Sequence, residues 1–287
     1  MRKEREETMQ ITTRPFQDAD LGRCLEIERA AVRSNHYLND VIDYYRTTKG
    51  EFTLALADSF PAGMGKLTVL YDGSAWLELL RVHPDFQRQG MGKAIYRRYL
   101  EQVAAFGCPA ARMYTGVKNV ASAALAEQFG LHRGPEFRGM SLPVQDDSFQ
   151  PQPKPLHLLG GEEAAEYLLP LQEKTGGFLS INHTFYKLNR STCFGFAAAG
   201  WVYGDGEGSV LVCGARFQPQ KALYIAALAA PDKAKKENAL SFARSLAAMT
   251  GAEKLTVHFP NQDQQEQEFY QAHGFTVDPS DDVVYER

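Results

Sequence analysis

The chain has little of what marks several large functional classes. Among its 287 residues are only four cysteines, Cys24, Cys108, Cys193 and Cys213, far apart and in no Cys-x-x-Cys pair. That excludes a disulfide scaffold and a thiolate zinc motif, and suits small core hydrophobes in a reduced, cytoplasmic protein. Nothing marks any of them, Cys193 included, as a reactive thiol. No apolar run approaches the ~20 residues of a membrane-spanning helix. The opening Met-Arg-Lys-Glu-Arg-Glu-Glu is charged where a signal peptide would be apolar. Positive charge is not in excess either. A net charge of −4 gives no general attraction to nucleic acid or anionic membranes, so an anionic ligand must be held by local geometry. Ser-His-Asp order, a Walker loop and nucleic-acid modules are missing. The histidines, His36, His83, His132, His157, His183, His258 and His273, do not cluster in sequence, and no metal-ligand spacing is present.

What is there is a globular composition, 44% hydrophobic and 23% charged, in a chain comfortable for two domains. Its organising stretch runs from Leu79 to Leu100: an apolar strand ending at Val82, a turn led by Pro84, a glycine-bearing loop, and a helix opening near Gly90. Such a loop turns backbone N–H groups toward one point at a helix N-terminus. The helix dipole adds partial positive charge, so a phosphate or pyrophosphate is the natural guest. Gly90 and Gly92 have no Cβ to obstruct a bulky anion, and Arg88 and Lys93 add charge.

Val82-x-Pro84-x-x-Gln87-x-x-Gly90-x-Gly92 resembles the acetyl-CoA signature of the GNAT N-acyltransferase superfamily, Gln/Arg-x-x-Gly-x-Gly/Ala after a strand ending in Val-x-Pro. The resemblance implies that Gln87, Arg88, Gln89, Gly90, Met91, Gly92 and Lys93 hold the diphosphate of acetyl-CoA, the co-substrate. It implies that Leu80 and Val82 offer a strand edge to the pantetheine arm, and that Asn119 lies beside it. The fold implied is α/β (α+β), a mixed, mostly antiparallel central sheet flanked by helices, and the activity is transfer of acetyl to an amine of a small molecule or peptide. A CoA-binding regulatory or scaffold protein without catalysis is the alternative. The chain is expected to act as a monomer or homodimer, with no nucleic-acid or membrane partner.

Read in order, residues 1–9 are a charged lead. Ile11–Arg14 is a strand, Asp18 or Asp20 caps a helix, and Asn35–Arg46 is a second helix with an aromatic face. Phe52–Ala57 and Lys66–Tyr71 are strands separated by a Ser-Phe-Pro-Ala-Gly turn, with Asp72-Gly73 leading into Trp76–Val82. Arg112–Val117, a helix from Asn119 to Gln128, and Arg138–Pro143 complete the first domain, 10–144. A proline-rich linker, 145–154, follows. The remainder, 155–287, repeats the first domain weakly: Pro231 answers to Pro84, Gly274 to Gly130 and His157 to Ile11, at offsets of 147, 144 and 146 residues. Aligning the prolines puts Glu237 at Gly90 and Ala239 at Gly92, so the second domain is expected to be a degenerate copy that binds no CoA.

Amide formation needs a proton acceptor for the amine. Glu78 is the candidate catalytic residue, expected on the face of Leu80 and Val82, among apolar neighbours that raise its pKa. The proton donor is a gap. The family often has Asn-x-x-Ala-x-x-x-Tyr-x-x-x-Gly-Phe, and from Asn119 to Gly130 that register puts Ala126 at the tyrosine; the tyrosine of the second copy is Tyr270. Asn182, His183, Tyr186, Asn189 and Tyr203 are expected to shape the acceptor side.

Overall fold

The computed structural model describes residues 9–34, 36–144 and 153–287. In chain order the elements are β1 (Ile11–Pro15), α1 (Leu21–Ala31), α2 (Leu38–Thr47), β2 (Gly50–Ala57), β3 (Phe60–Val69), β4 (Ala75–Val82), α3 (Met91–Ala105), β5 (Ala111–Gly116), α4 (Val120–Gln128) and β6 (His132–Pro143). The second half has β7 (His157–Leu158), α5 (Gly161–Leu168), β8 (Phe178–Ile181), β9 (Thr184–Lys187), α6 (Arg190–Ala198), β10 (Val202–Gly204) and β11 (Val210–Gly214). It ends with β12 (Leu223–Ala229), α7 (Lys233–Thr250), β13 (Lys254–Pro260), α8 (Gln264–Ala272), β14 (Thr276–Val277) and β15 (Asp282–Glu286). The architecture is mixed α/β with mostly antiparallel strand pairing.

Residues pack into two compact units: one comprises residues up to 112 with 123–132 and 286–287, the other 113–122 with 133–285. In the first, β1, β2, β3 and β4 form an antiparallel series. The first two residues of β5 then join β4 in parallel, Ala75 opposite Ala111 and Trp76 opposite Arg112. The turn between β2 and β3 is tighter than expected. Asp58 and Ser59 both take positive φ (46° and 76°), a two-residue type I′ turn whose twist matches the strands. Phe60, Pro61 and Gly63, expected in the turn, belong to β3. Helix α2 starts at Leu38, where the carboxylate of buried Glu28 on α1 accepts from the N–H groups of Tyr37 and Leu38 (both 3.1 Å). A negative group satisfying first-turn N–H groups fixes the second helix on the first.

In the second unit, β12 and β13 are parallel and β11, β10 and β7 continue antiparallel from β12. The core lies between β11–β13 and α7, around Ile225, Leu240, Leu255 and Tyr270. On the other side of β13 lies β6, paired from Lys254 opposite Pro143 to Pro260 opposite Phe137, and β15 lies between β6 and β5. Contacts therefore divide the chain within β5 and at the start of β6, away from the linker on which the sequence boundary rests. Most of that linker (145–152), like residues 1–8 of the charged lead, lies outside the described residues. Cys24, Cys193 and Cys213 are buried, and burial pushes their thiols up to about 12, 11 and 12. No helix among the described residues is long and apolar enough to cross a membrane.

Candidate functional site

Strand β4 carries the site because its pairing with β3 is interrupted. Glu78 faces Lys66 and Arg81 faces Met64, so two residues, Leu79 and Leu80, oppose the single Gly65. This is a β-bulge, and Leu79 takes φ +58° to make it. A non-glycine residue there costs about 1–2 kcal/mol, and the surroundings show what holds it. The Tyr99 hydroxyl, reaching down from α3, donates to the Glu78 carbonyl (2.9 Å). It can do so because Gly65 has no side chain: a Cβ there would lie 2.1 Å from the Tyr99 oxygen. Burial holds the Tyr99 phenol well above its ordinary range, so it remains a proton donor. A glycine inside a strand marks such a close approach, but the sequence reading starts the strand at Lys66, and nothing in the sequence names Tyr99 as the partner of Gly65.

The bulge changes which side chains share a face. Cross-strand partners point the same way, so Glu78 lies with Trp76, Lys66 and Arg81, and Val82 lies with Leu77 and Gly63 on the other face. The expectation that Glu78 shares the face of Val82 is thereby corrected: one inserted residue reverses the alternation. The expected apolar surround is corrected too. The Thr68 hydroxyl donates to Glu78 Oε1 (2.6 Å) and the Tyr45 hydroxyl to Oε2 (3.2 Å). Lys66 is buried, its ammonium 5.8 Å from the Tyr45 ring centroid. The aromatic face of α2 thus meets the carboxylate through a hydroxyl.

Pairing of β4 with β5 stops at Trp76. Among the described residues of the first unit, β4 has no strand partner on the side away from β3 from Leu77 onward, which leaves a main-chain edge beside Leu80 and Val82. Beyond Val82, Pro84–Phe86 make a single 3₁₀ turn. Gln87 donates through Nε2 to the Val82 carbonyl (3.1 Å) and Gln89 through Nε2 to the Asp85 carbonyl (2.7 Å), so both side chains brace the loop. Arg88 and Gly90 take φ +59° and +100°. Gly90 is the N-cap of α3, and no side chain caps that helix. Its first amides and the exposed Arg88 and Lys93 suit an anion at this end. The Met91 side chain is buried, so only its backbone can serve such a guest. Gly92 has a further reason beside the one expected: a Cβ would lie 3.1 Å from Leu125 Cδ2 of α4, so this glycine lets two helices approach. Asn119 lies in the second unit and accepts from the Ser122 N–H (3.2 Å), capping α4; Ala126 is wholly buried.

The corresponding strand of the other unit is also bulged. Val212 faces Ala227 and Cys213 faces Ile225, leaving Ala226 extra; Ala226 stands to Pro231 as Leu79 stands to Pro84. The junction after it differs. Helix α7 begins at Lys233, and its N-cap, Asp232, accepts from the Lys235 N–H (2.9 Å). Glu237 and Ala239, aligned to Gly90 and Gly92 through the prolines, lie inside that helix. By helix position it is Asp232 that answers to Gly90. Tyr270 is 2% exposed, stacked on Phe259 at 5.9 Å, and burial holds its phenol well above the ordinary range. It lines, with Ala226–Leu228 and Val257–Pro260, a cleft of about 40 Å³. Of the residues expected to shape an acceptor pocket, Tyr186 is buried and Asn189 caps α6, whereas Asn182 and His183 form the turn between β8 and β9.

Residues 9–131 match the acetyltransferase (GNAT) family model. This supports the GNAT superfamily, whose general chemistry is acetyl-CoA-dependent acetyl transfer. Solved structures share the fold over nearly the whole chain. A GCN5-related N-acetyltransferase from Sphaerobacter thermophilus is similar at TM-score 0.67 and 12% identity, covering 96% of this chain and 95% of that one. A tandem GNAT protein from the clavulanic acid biosynthesis pathway is similar at TM-score 0.60 and 16% identity, covering 97% and 98%. A GCN5-related N-acetyltransferase from Kribbella flavida is similar at TM-score 0.50 and 14% identity, covering 99% and 72%. No curated protein matches the sequence.

Proposed function

We propose that the first repeat binds acetyl-CoA and transfers its acetyl group to an amine of a small molecule or peptide in the cytoplasm, and that the second repeat, a degenerate copy, binds no CoA. The observation that carries the reading is an uncapped helix N-terminus with a left-handed Gly90, directly behind a bulged strand that ends beside an unpaired edge. The amides opening α3, with Arg88 and Lys93, would take the diphosphate, and the Leu80–Val82 edge would pair with the pantetheine amides. Acetyl-CoA supplies an activated acyl group as a thioester. The chain must then accept the amine proton, steady developing negative charge and return a proton to the thiolate. Glu78 is the proton acceptor in this scheme, oriented by Thr68 and Tyr45. Backbone N–H groups at the Leu79–Leu80 bulge suit the oxyanion, since a bulge leaves such groups outside the ladder.

A binding-only role has one observation in its favour: Ala126, buried and without a proton, stands at the position of the family's tyrosine. Acetyl transfer measured across a panel of amines separates the two readings. Transfer to any amine that is lost in Glu78→Gln supports catalysis. Saturable acetyl-CoA binding without transfer to any amine would favour the regulatory or scaffold role.

A further inference from the structure

Away from the β4–α3 junction, the second unit gathers three metal-ligating side chains from distant parts of the chain. His183 lies in the turn between β8 and β9, His258 within β13, and Asp282 opens β15. One donor atom of each lies within 4.8 Å of the other two. His183 Nδ1 is 2.9 Å from Asp282 Oδ2, and His258 Nε2 is 3.7 Å from the same oxygen. From this geometry we propose that His183, His258 and Asp282 form a site for a borderline divalent cation of the zinc class.

Several independent features favour a bound cation over simple packing. The His258 side chain is 1% exposed, and its Nε2 has no hydrogen-bond partner. A buried nitrogen left unpaired is destabilising, and a metal would satisfy it. The other ring nitrogen, Nδ1, lies 3.3 Å from Ser180 Oγ, the outer contact that orients a ligating imidazole and sets its tautomer. Room is kept beside Nε2: a Cβ on Gly139 would lie 3.3 Å from it, and Asp278 Oδ2 lines the same space. Tyr114 stacks on His183 at 5.3 Å and Tyr224 on His258 at 6.3 Å, which fixes both ring planes. The His183 side chain is 37% exposed and gives a path from solvent.

Two imidazoles and one carboxylate suit Zn²⁺ or Co²⁺ better than Mg²⁺ or Ca²⁺, which prefer oxygen. Three protein donors leave a fourth position for water or a ligand, the pattern of reactive rather than purely structural zinc. Seventy-five residues separate the two histidines, which is why no ligand spacing is visible in the sequence.

The test uses the full chain, chelator-treated and then titrated with Zn²⁺ by calorimetry and with Co²⁺ by visible absorption. One equivalent of each metal should bind, and Co²⁺ should give the intense bands of a four-coordinate site. His258→Ala and Asp282→Asn should weaken Zn²⁺ binding by at least about tenfold. Because those two positions are buried, His183→Asn is the decisive variant: it is half-exposed, and asparagine tolerates the positive φ of 51° found there. It should unfold cooperatively at an unchanged temperature without metal, yet lose the same affinity. Absence of saturable Zn²⁺ binding to the unaltered chain would overturn the proposal. So would binding that His183→Asn leaves unchanged.

Discussion

Strand β4 reaches α3 through eight residues, His83 to Gly90, and β12 reaches α7 through three, Ala230 to Asp232. The strands themselves are close counterparts. Each pairs in parallel with its successor for a few residues, and each carries a one-residue bulge at the same distance from its proline. What differs is what the chain leaves unsatisfied. After β4 the helix opens with no side-chain cap, and the long loop presents cations and free amides to solvent. After β12 a carboxylate of the protein occupies the place an anion would take. Ile225 stands where Glu78 would be expected, so the chemical group and the cradle differ together. A helix N-terminus that its own sequence leaves uncapped keeps its first amides available to an anion.

The widest test of this contrast is Gly90→Glu. It places a carboxylate at the opening of α3 and a side chain at φ +100°, and should lower acetyl-CoA affinity at least about 100-fold, roughly 2.7 kcal/mol. Calorimetry within about threefold of the unaltered protein would break the comparison. Glu78→Gln should leave that affinity intact and lower turnover by roughly 10²-fold. If the rate is unchanged, Glu78 is held by Thr68 and Tyr45 for structural reasons alone.

Asp232→Ala tests the other junction. Loss of the cap should cost about 1 kcal/mol, a fall of about 2–4 °C in unfolding temperature. It should create no acetyl-CoA binding, because the three-residue loop remains; binding at the second junction would show that the cap alone suppresses it. The smallest effect is expected for Tyr270→Phe. The ring is core, so transfer rates should stay within about twofold, or ~0.4 kcal/mol. A large loss would return Tyr270 to the proton-donor role that its sequence position suggests.

Most helices and strands of the first half were legible in sequence because their patterns are local. The strand read as Trp76–Val82 is β4 (Ala75–Val82), and the glycine-bearing loop before α3 announces itself. The bulge at Leu79 was not legible, since an inserted residue leaves every side chain in place and only reverses the faces after it. The Asp58–Ser59 turn was masked by Pro61 and Gly63, whose usual meaning is a loop. The roles of Gly65 with Tyr99 depend on a helix packing over a strand 34 residues earlier in the chain. Pairing of β6 with β13 joins segments more than 100 residues apart, and no local pattern encodes such a partnership.

Residues 286 and 287 belong to the first compact unit. Arg287 exchanges both backbone hydrogen bonds with Ala111 (2.9 Å each), its side chain reaches the Phe129 carbonyl (3.0 Å), and Glu286 meets Arg112. On the ribosome this reverses the usual order of completion. The unit that carries the glycine-bearing loop is nearly all synthesised by residue 132, yet its sheet lacks those contacts for roughly 150 further residues, on the order of ten seconds at ~5–20 residues per second. During that interval the nascent chain presents an unpaired strand edge at Ala111.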